Sequence, residues 1–251
     1  MNKIADFFIP ENSVENLSED DYKQVEAVIS TLKACARMVY QSIYVIDYFQ
    51  QNFLYVSENP VFLCGLTSEE VKKKGYTFYF EYVLEDDLNM LLEINRAGFL
   101  FFNQTSVEDR LKLTISYDFH IRSPHGLQLI NHKLTPIMLA ENGNIWLAAC
   151  VVSPSFHREA GHIEARMESQ TGYWTYSIKD KIWKHEESIT LDEREQEILL
   201  LTAQGLTMKE IGDKLYITES TIKYHKQSIF MKLCAHNISE ALLATSIYKL
   251  I

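Results

Sequence analysis

Apolar residues recur at helical spacing through the last quarter of the chain and at strand spacing through its middle. In 219–233, Ile222, Ile229, Phe230 and Leu233 fall on one side of a helix. Ser220, Lys223, Tyr224 and Gln227 gather on the other side, with no acid among them. Just upstream, Thr207 and Glu210 have capping-box spacing and open a helix through Ile211 and Leu215. Tyr216 and Ile217 turn the chain, and Thr218 is placed to cap the helix that follows. Further back, Thr190 and Glu193 form another such box, ahead of Leu191, Ile198, Leu199 and Leu201, with Gly205 just past that helix's end. A last helix starts at Asn237 or Ser239 and carries Ala241, Leu242, Ala244, Ile247 and Tyr248. Helix, helix, short turn, helix, closing helix is the helix-turn-helix layout.

Upstream, the stretch before Ser18 carries little periodic signal. From Ser18 a helix begins in which Tyr22, Val25, Ile29, Leu32, Ala36 and Val39 recur at alternating steps of three and four. This seam is too short for a self-standing coiled coil; it packs on the next domain, makes a two-helix dimer contact, or both. Strand patterns follow at Ile43–Phe49 and Phe53–Ser57, close enough to form a hairpin. Helical pieces come next at Pro60–Gly65, Thr67–Gly75 and Asp86–Phe102, and then long strands at Leu111–Arg122, Leu127–Leu139 and Ile145–Val152. His162–Met167 and Tyr173–Ile178 are two further strands. Trp174, Tyr176 and Ile178 alternate with polar neighbours, so this pair packs on something: the preceding sheet or the C-terminal helices.

Charge sharpens the division. The chain of 251 residues carries a net charge of −10, which argues against a protein that coats nucleic acid. Residues 190–251 hold seven Lys and Arg against eight Asp and Glu, so the acidity lies upstream. In 219–233, Lys223, Lys226 and Lys232 face one acid, Glu219, and the positive field there is local. Few phosphate contacts imply modest non-specific affinity and a shallow salt slope unless two copies bind together.

The four cysteines are scattered without a Cys-x-x-Cys pair and read as reduced and mostly buried in a cytoplasmic protein; no apolar run reaches membrane-spanning length. Catalytic signatures are missing: there is no P-loop, nucleophile elbow, zinc-type His-Glu-x-x-His or dinucleotide glycine set, so no enzyme is expected. His120 and His132 lie on paired strand candidates. Strand histidines are most often structural, so no metal or haem role is assigned to them.

Beyond these patterns, the residues of 190–233 resemble the LuxR/NarL-type DNA-binding domain. The likeness rests on Leu191, Arg194, Glu195, Glu197, Ile198, Leu199, Gly205, Leu206, Thr207, Lys209, Glu210, Ile211, Leu215, Ile217, Thr218, Thr221, Ile222, Lys223, His225, Ile229, Lys232 and Leu233. Two departures stand out: Gly212 replaces the usual small Ala, and Cys234-Ala235 stands where Gly-Val is common. Glycine inside a helix costs about 1 kcal/mol against alanine. The resemblance implies that Lys223, Tyr224 and Gln227 fall where base edges are read, and that His225 and Lys226 lie nearer the DNA backbone or the domain's own packing. Ser220 shares the base-facing side, and Lys209, Thr218, Thr221 and Lys232 are further candidates for the DNA backbone. The resemblance also implies that the closing helix makes a dimer contact.

The middle of the chain resembles a PAS domain in its order of elements, with Asn59–Phe62 and the acidic helix start at Glu85–Asp87 as local likenesses. A receiver domain fits less well: Asp47 ends a strand, but the acidic pair is missing. PAS folds often hold a ligand, and then Phe62, Phe78, Tyr82 and Phe99 are the candidate lining residues; the competing reading is that these aromatics fill the core. No motif requires a cofactor, and the identity of any small-molecule effector is unknown.

The fold expected is thus α+β. It comprises an N-terminal helical segment (1–40), a PAS-like antiparallel five-stranded sheet with helices (41–153), a β-hairpin linker (154–187) and an all-α four-helix helix-turn-helix domain (188–251). The function implied is a transcriptional regulator that binds promoter DNA as a homodimer, with a signal-sensing half and RNA polymerase as a further partner it can contact. A second reading stays open, in which the PAS-like part dimerises and the C-terminal domain docks a partner protein instead of DNA.

Overall fold

In the computed structural model, residues 3–168, 170–248 and 250 are described. The chain divides into two units, 1–186 and 187–251.

Helix α1 (Glu19–Ala36) starts where the sequence places it: Ser18 accepts from the backbone N–H of Asp21, and Asp21 reaches back to the cap. Strands β1 (Ser42–Asp47) and β2 (Asn52–Val56) follow, then α2 (Pro60–Leu63), α3 (Ser68–Lys74), α4 (Thr77–Tyr82) and α5 (Glu85–Gln104). Three long strands complete the expected set: β3 (Leu113–Ser123), β4 (Gly126–Leu139) and β5 (Ile145–Pro154). They form the antiparallel order β2-β1-β5-β4-β3, with the helices between β2 and β3, which is the PAS-like arrangement. The register of β4 shifts after Pro136, where the missing N–H breaks the ladder.

The expectation of a hairpin linker at 154–187 is corrected. That segment forms three strands, β6 (Gly161–Met167), β7 (Tyr173–Ser177) and β8 (Ile182–Glu186), and all three continue the same sheet beyond β3. Of the two surfaces open to its aromatics, they use the first. Trp174 and Trp183 pack on Phe101 of α5 at ring distances of 5.3 and 5.0 Å, and the Tyr176 hydroxyl donates to Glu93 at 2.6 Å.

Strand β1 is buried along its whole length because both sheet faces are covered there. Tyr44 and Ile46 point into the main core with α2–α5, while Val45 joins Trp146 and Leu147 beneath Val25, Ile29 and Leu32 of α1. The seam of α1 packs on the sheet from Tyr22 to Leu32, with Ile29 and Leu32 half-buried, whereas Val39 lies past the end of the helix and is exposed.

The patternless N-terminus is a strap. Phe7 is buried, with its ring 5.2 Å from Tyr76, and Asn12 exchanges two hydrogen bonds with the backbone of Ile145.

The second unit is all-helical: α6 (Glu193–Ala203), α7 (Met208–Leu215), α8 (Glu219–Lys232) and α9 (Ile238–Tyr248). The capping box of α6 is not at Thr190. Asp192 is the N-cap and Glu195 its reciprocal partner, so the helix starts two residues later than the sequence pattern suggests.

Candidate nucleic-acid interface

Helix α8 is fixed by its apolar side. Ile222, Ile229 and Leu233 are each no more than 1% exposed, and Phe230 is half-buried. Burying such a side chain contributes roughly 1.5–3 kcal/mol, which holds the helix's rotation about its axis. The Thr218 hydroxyl accepts from the Thr221 backbone at 3.2 Å and caps the first turn. With that face buried, Ser220, Lys223, Tyr224 and Gln227 are all exposed, and Tyr224 is 69% so. Lys209 and Thr218 are exposed as well, while Thr221, His225 and Lys226 are half-buried.

Lys232 is differently placed from the expectation of a backbone contact. Its ammonium lies 2.7 Å from Glu195, whose side chain is 2% exposed. Glu195 is a node that sequence reasoning missed. It accepts from the backbone of Asp192 at 3.0 Å, from the Ser228 hydroxyl at 2.7 Å and from Lys232, joining the start of α6 to the last turns of α8. Burial alone would raise its carboxyl, but the bonds from Lys232 and Ser228 hold it below the ordinary range. Asp192, Glu195 and His225 bring ligand-type atoms within 4.8 Å of one another. Both oxygens of Glu195 are already engaged by protein donors, so this grouping is a structural tie between helices.

The turn between α7 and α8 explains the departure at Gly212. Ile217 donates its backbone N–H to the Gly212 carbonyl at 3.1 Å, and a Cβ on Gly212 would lie 2.7 Å from the Ile217 carbonyl oxygen. Glycine is thus required by a close approach, at the expense of helix propensity. Gly212→Ala is expected to lower stability by about 1–3 kcal/mol through overpacking, although alanine is the better helix former. A rise in the thermal midpoint of the full chain would contradict this.

In the N-terminal unit the candidate lining residues separate. Phe62 and Phe78 are fully buried, and Phe62, Phe78 and Tyr82 pack ring on ring at 4.8 Å per contact. Phe99 alone lines a cavity, of about 40 Å³, together with Tyr48, Phe102, Ile115, Tyr117 and Leu134. That space holds water-sized guests, well short of the roughly 300 Å³ of an ordinary ligand pocket. His120 and His132 serve the packing: His120 pairs with Asp87 at 2.8 Å, and His132 meets the Tyr44 hydroxyl at 2.6 Å. Burial pushes His132 down to about 3. Asp47 is tied up by Tyr22 and by the backbone N–H groups of Phe49 and Gln50, closing the β1–β2 turn. Cys64 and Cys150 are buried, and burial pushes the Cys64 thiol up to about 12.

A capped helix pinned by one face, preceded by a short scaffold helix and a tight turn, defines the helix-turn-helix class. Residues 190–245 match the family described as GerE, bacterial regulatory proteins of the luxR family, and the C-terminal domain is accordingly of luxR type. The transcriptional regulatory protein LnrK of Bacillus subtilis is 44% identical over 62 residues, 25% of this chain and 28% of LnrK. The transcriptional activator protein SolR of Ralstonia nicotianae is 40% identical over 58 residues, 23% of this chain and 25% of SolR. The match thus spans little more than a quarter of these relatives' length. Among solved structures, the Vibrio cholerae VqmA dimer without its target DNA is 15% identical, covering 90% of this chain and 89% of that one, with a TM-score of 0.35, a likeness too distant to carry function across. No helix among the described residues is long and apolar enough to cross a membrane.

Proposed function

We propose that this chain is a sequence-specific transcriptional regulator that binds duplex DNA as a homodimer, its PAS-like unit serving as the input half. The observation that carries this reading is the divided surface of α8: Ile222, Ile229 and Leu233 are buried, while Ser220, Lys223, Tyr224 and Gln227 are free to enter a major groove. The luxR-type match over 190–245 supports it. In this reading those four residues face base edges, and Lys209, Thr218, Thr221, His225 and Lys226 lie along the phosphates. Lys232 instead holds α8 through Glu195. A small effector would enter the PAS-like core by widening the cavity beside Phe99, since Phe62, Phe78 and Tyr82 are packed on one another.

The test uses two duplexes, one selected by the full chain from a randomised pool and one of random sequence. Lys223→Ala and Gln227→Ala each cost about 1–3 kcal/mol on the selected duplex and little on the random one. Lys226→Ala weakens both alike and lowers the salt slope. Equal losses on both duplexes for all three variants contradict the assignment.

A further inference from the structure

The middle of α5 carries a glycine that its helix does not need. Gly98 lies inside α5 without a positive φ, and glycine weakens a helix interior relative to alanine. No backbone crowds it from outside the helix: a Cβ there would meet only the tip of the Ile115 side chain, at 3.0 Å. What the missing side chain leaves open is the cavity beside Phe99, whose lining includes Gly98.

Polar atoms without partners converge on the same place. Tyr48 and Tyr117 line the cavity, and among the described residues neither phenol hydroxyl has a hydrogen-bond partner. Tyr48 is only 7% exposed, and a buried tyrosine hydroxyl ordinarily finds a partner. His132 stands directly across from Tyr117 in the β3–β4 ladder, with ring centres 4.8 Å apart. Leu134, two residues further along the same face of β4, also lines the cavity. The Nε2 of His132 meets Tyr44, but its Nδ1 is buried with nothing to bond. Unpaired polar atoms beside an apolar space weaken the fold unless a guest pairs with them.

Size and charge narrow the guest. The cavity holds about 40 Å³, and Tyr48 also borders a cleft of about 150 Å³ beneath the N-terminal strap, lined by Phe8, Pro10, Asn12 and Ser13. A turn of the Tyr48 ring joins the two spaces, which stay small beside an ordinary ligand pocket. No carboxylate, ammonium or guanidinium lines either space. Burial keeps Tyr48, Tyr117 and His132 uncharged at neutral pH. An ion would shed its hydration there without meeting a counter-charge.

We propose that this site takes a small uncharged molecule that accepts hydrogen bonds from the Tyr48 and Tyr117 hydroxyls, with His132 Nδ1 left for its remaining polar group. This rests on reading the PAS-like unit as an input half and states what that half takes in.

Cyclopentanone serves as the probe, with methylenecyclopentane as the isostere lacking the acceptor and cyclopentanecarboxylate as the anionic counterpart. Binding to full-length wild type, Y48F, Y117F and G98A is titrated by saturation-transfer NMR, with thermal melts alongside. Wild type is expected to bind the ketone saturably and about tenfold more tightly than the isostere, and the carboxylate not at all. Y48F and Y117F each discard a hydroxyl without a partner, so they melt at or above wild type yet bind the ketone about tenfold more weakly. G98A fills the cavity and strengthens α5, so it also melts at or above wild type and does not bind. No saturable ketone binding in wild type overturns the proposal, as does equal binding of either control. Phenylalanine variants that melt well below wild type overturn it too, since the hydroxyls would then already hold partners such as trapped water. Probe binding is read without DNA, so a chain that binds the ketone but enriches no duplex fails only in the DNA-binding reading.

Discussion

Truncating Phe62 to alanine is expected to cost the N-terminal unit about 3–5 kcal/mol, the largest effect of any single substitution considered. Phe62 is fully buried in α2. Its ring stacks on Tyr44 at 4.5 Å with 5° between planes, and lies 4.8 Å from Phe78 on the other side. Its backbone N–H donates to Ser42 at 3.0 Å, so the ring is anchored to β1 and has little freedom to collapse into a void. The cavity term therefore adds to the lost transfer energy. Chemical denaturation of the full chain measures this, with Phe62→Leu as a milder comparison. A loss under about 1 kcal/mol for the alanine variant would show that this cluster yields readily and could open for a ligand of some size.

Glu195→Ala is the second large effect, about 2 kcal/mol. Breaking a buried ion pair typically costs 3–5 kcal/mol, but Lys232 is 39% exposed and regains water, which lowers the figure. What remains is the loss of the cap on α6 and of the bond to Ser228. The same carboxylate makes a pH prediction. Its folded value lies below its ordinary value of 4.5, so its contribution is fully present above about pH 4.5 and is lost as pH falls through the folded value. Melts of wild type and Glu195→Gln from pH 7 to pH 3 should therefore converge at the acid end. Curves that stay parallel would remove the carboxylate's charge from the explanation. In the proposed function the variant also binds DNA less well than its stability loss alone accounts for, because the end of α8 is released.

What the sequence makes legible follows from which forces are local. The inner face of α8 could be read because Ile222, Ile229 and Leu233 repeat at helical spacing, and the outer residues follow once that face is buried. The helix starts at Ser18 and Thr207 likewise need only neighbours three residues apart, and in both the cap and its partner close a capping box. The box at α6 was misplaced because Thr190 and Asp192 both precede an acid by three residues, and only packing selects between them. Lys232 looked like a phosphate neighbour because no local pattern reveals that Glu195, 37 residues earlier, takes up its charge. Strands β6 and β7 were visible from alternation, but alternation does not name the strand edge that will receive them. The strap around Phe7 and Asn12 has no period at all and is fixed only by Tyr76 and Ile145, far along the chain. Gly212 shows a limit of another kind: propensity alone marks it as a weakness, whereas the Ile217 carbonyl makes it a requirement.

The most direct measurement of the central claim is selection of duplexes from a randomised pool by the full-length chain, repeated with Lys223→Ala and Gln227→Ala. The wild type should enrich a motif with two-fold symmetry, and each variant should lose preference at particular base pairs within both halves while still binding DNA. No enrichment by the wild type, or a motif unchanged in both variants, would mean that this face of α8 does not read DNA.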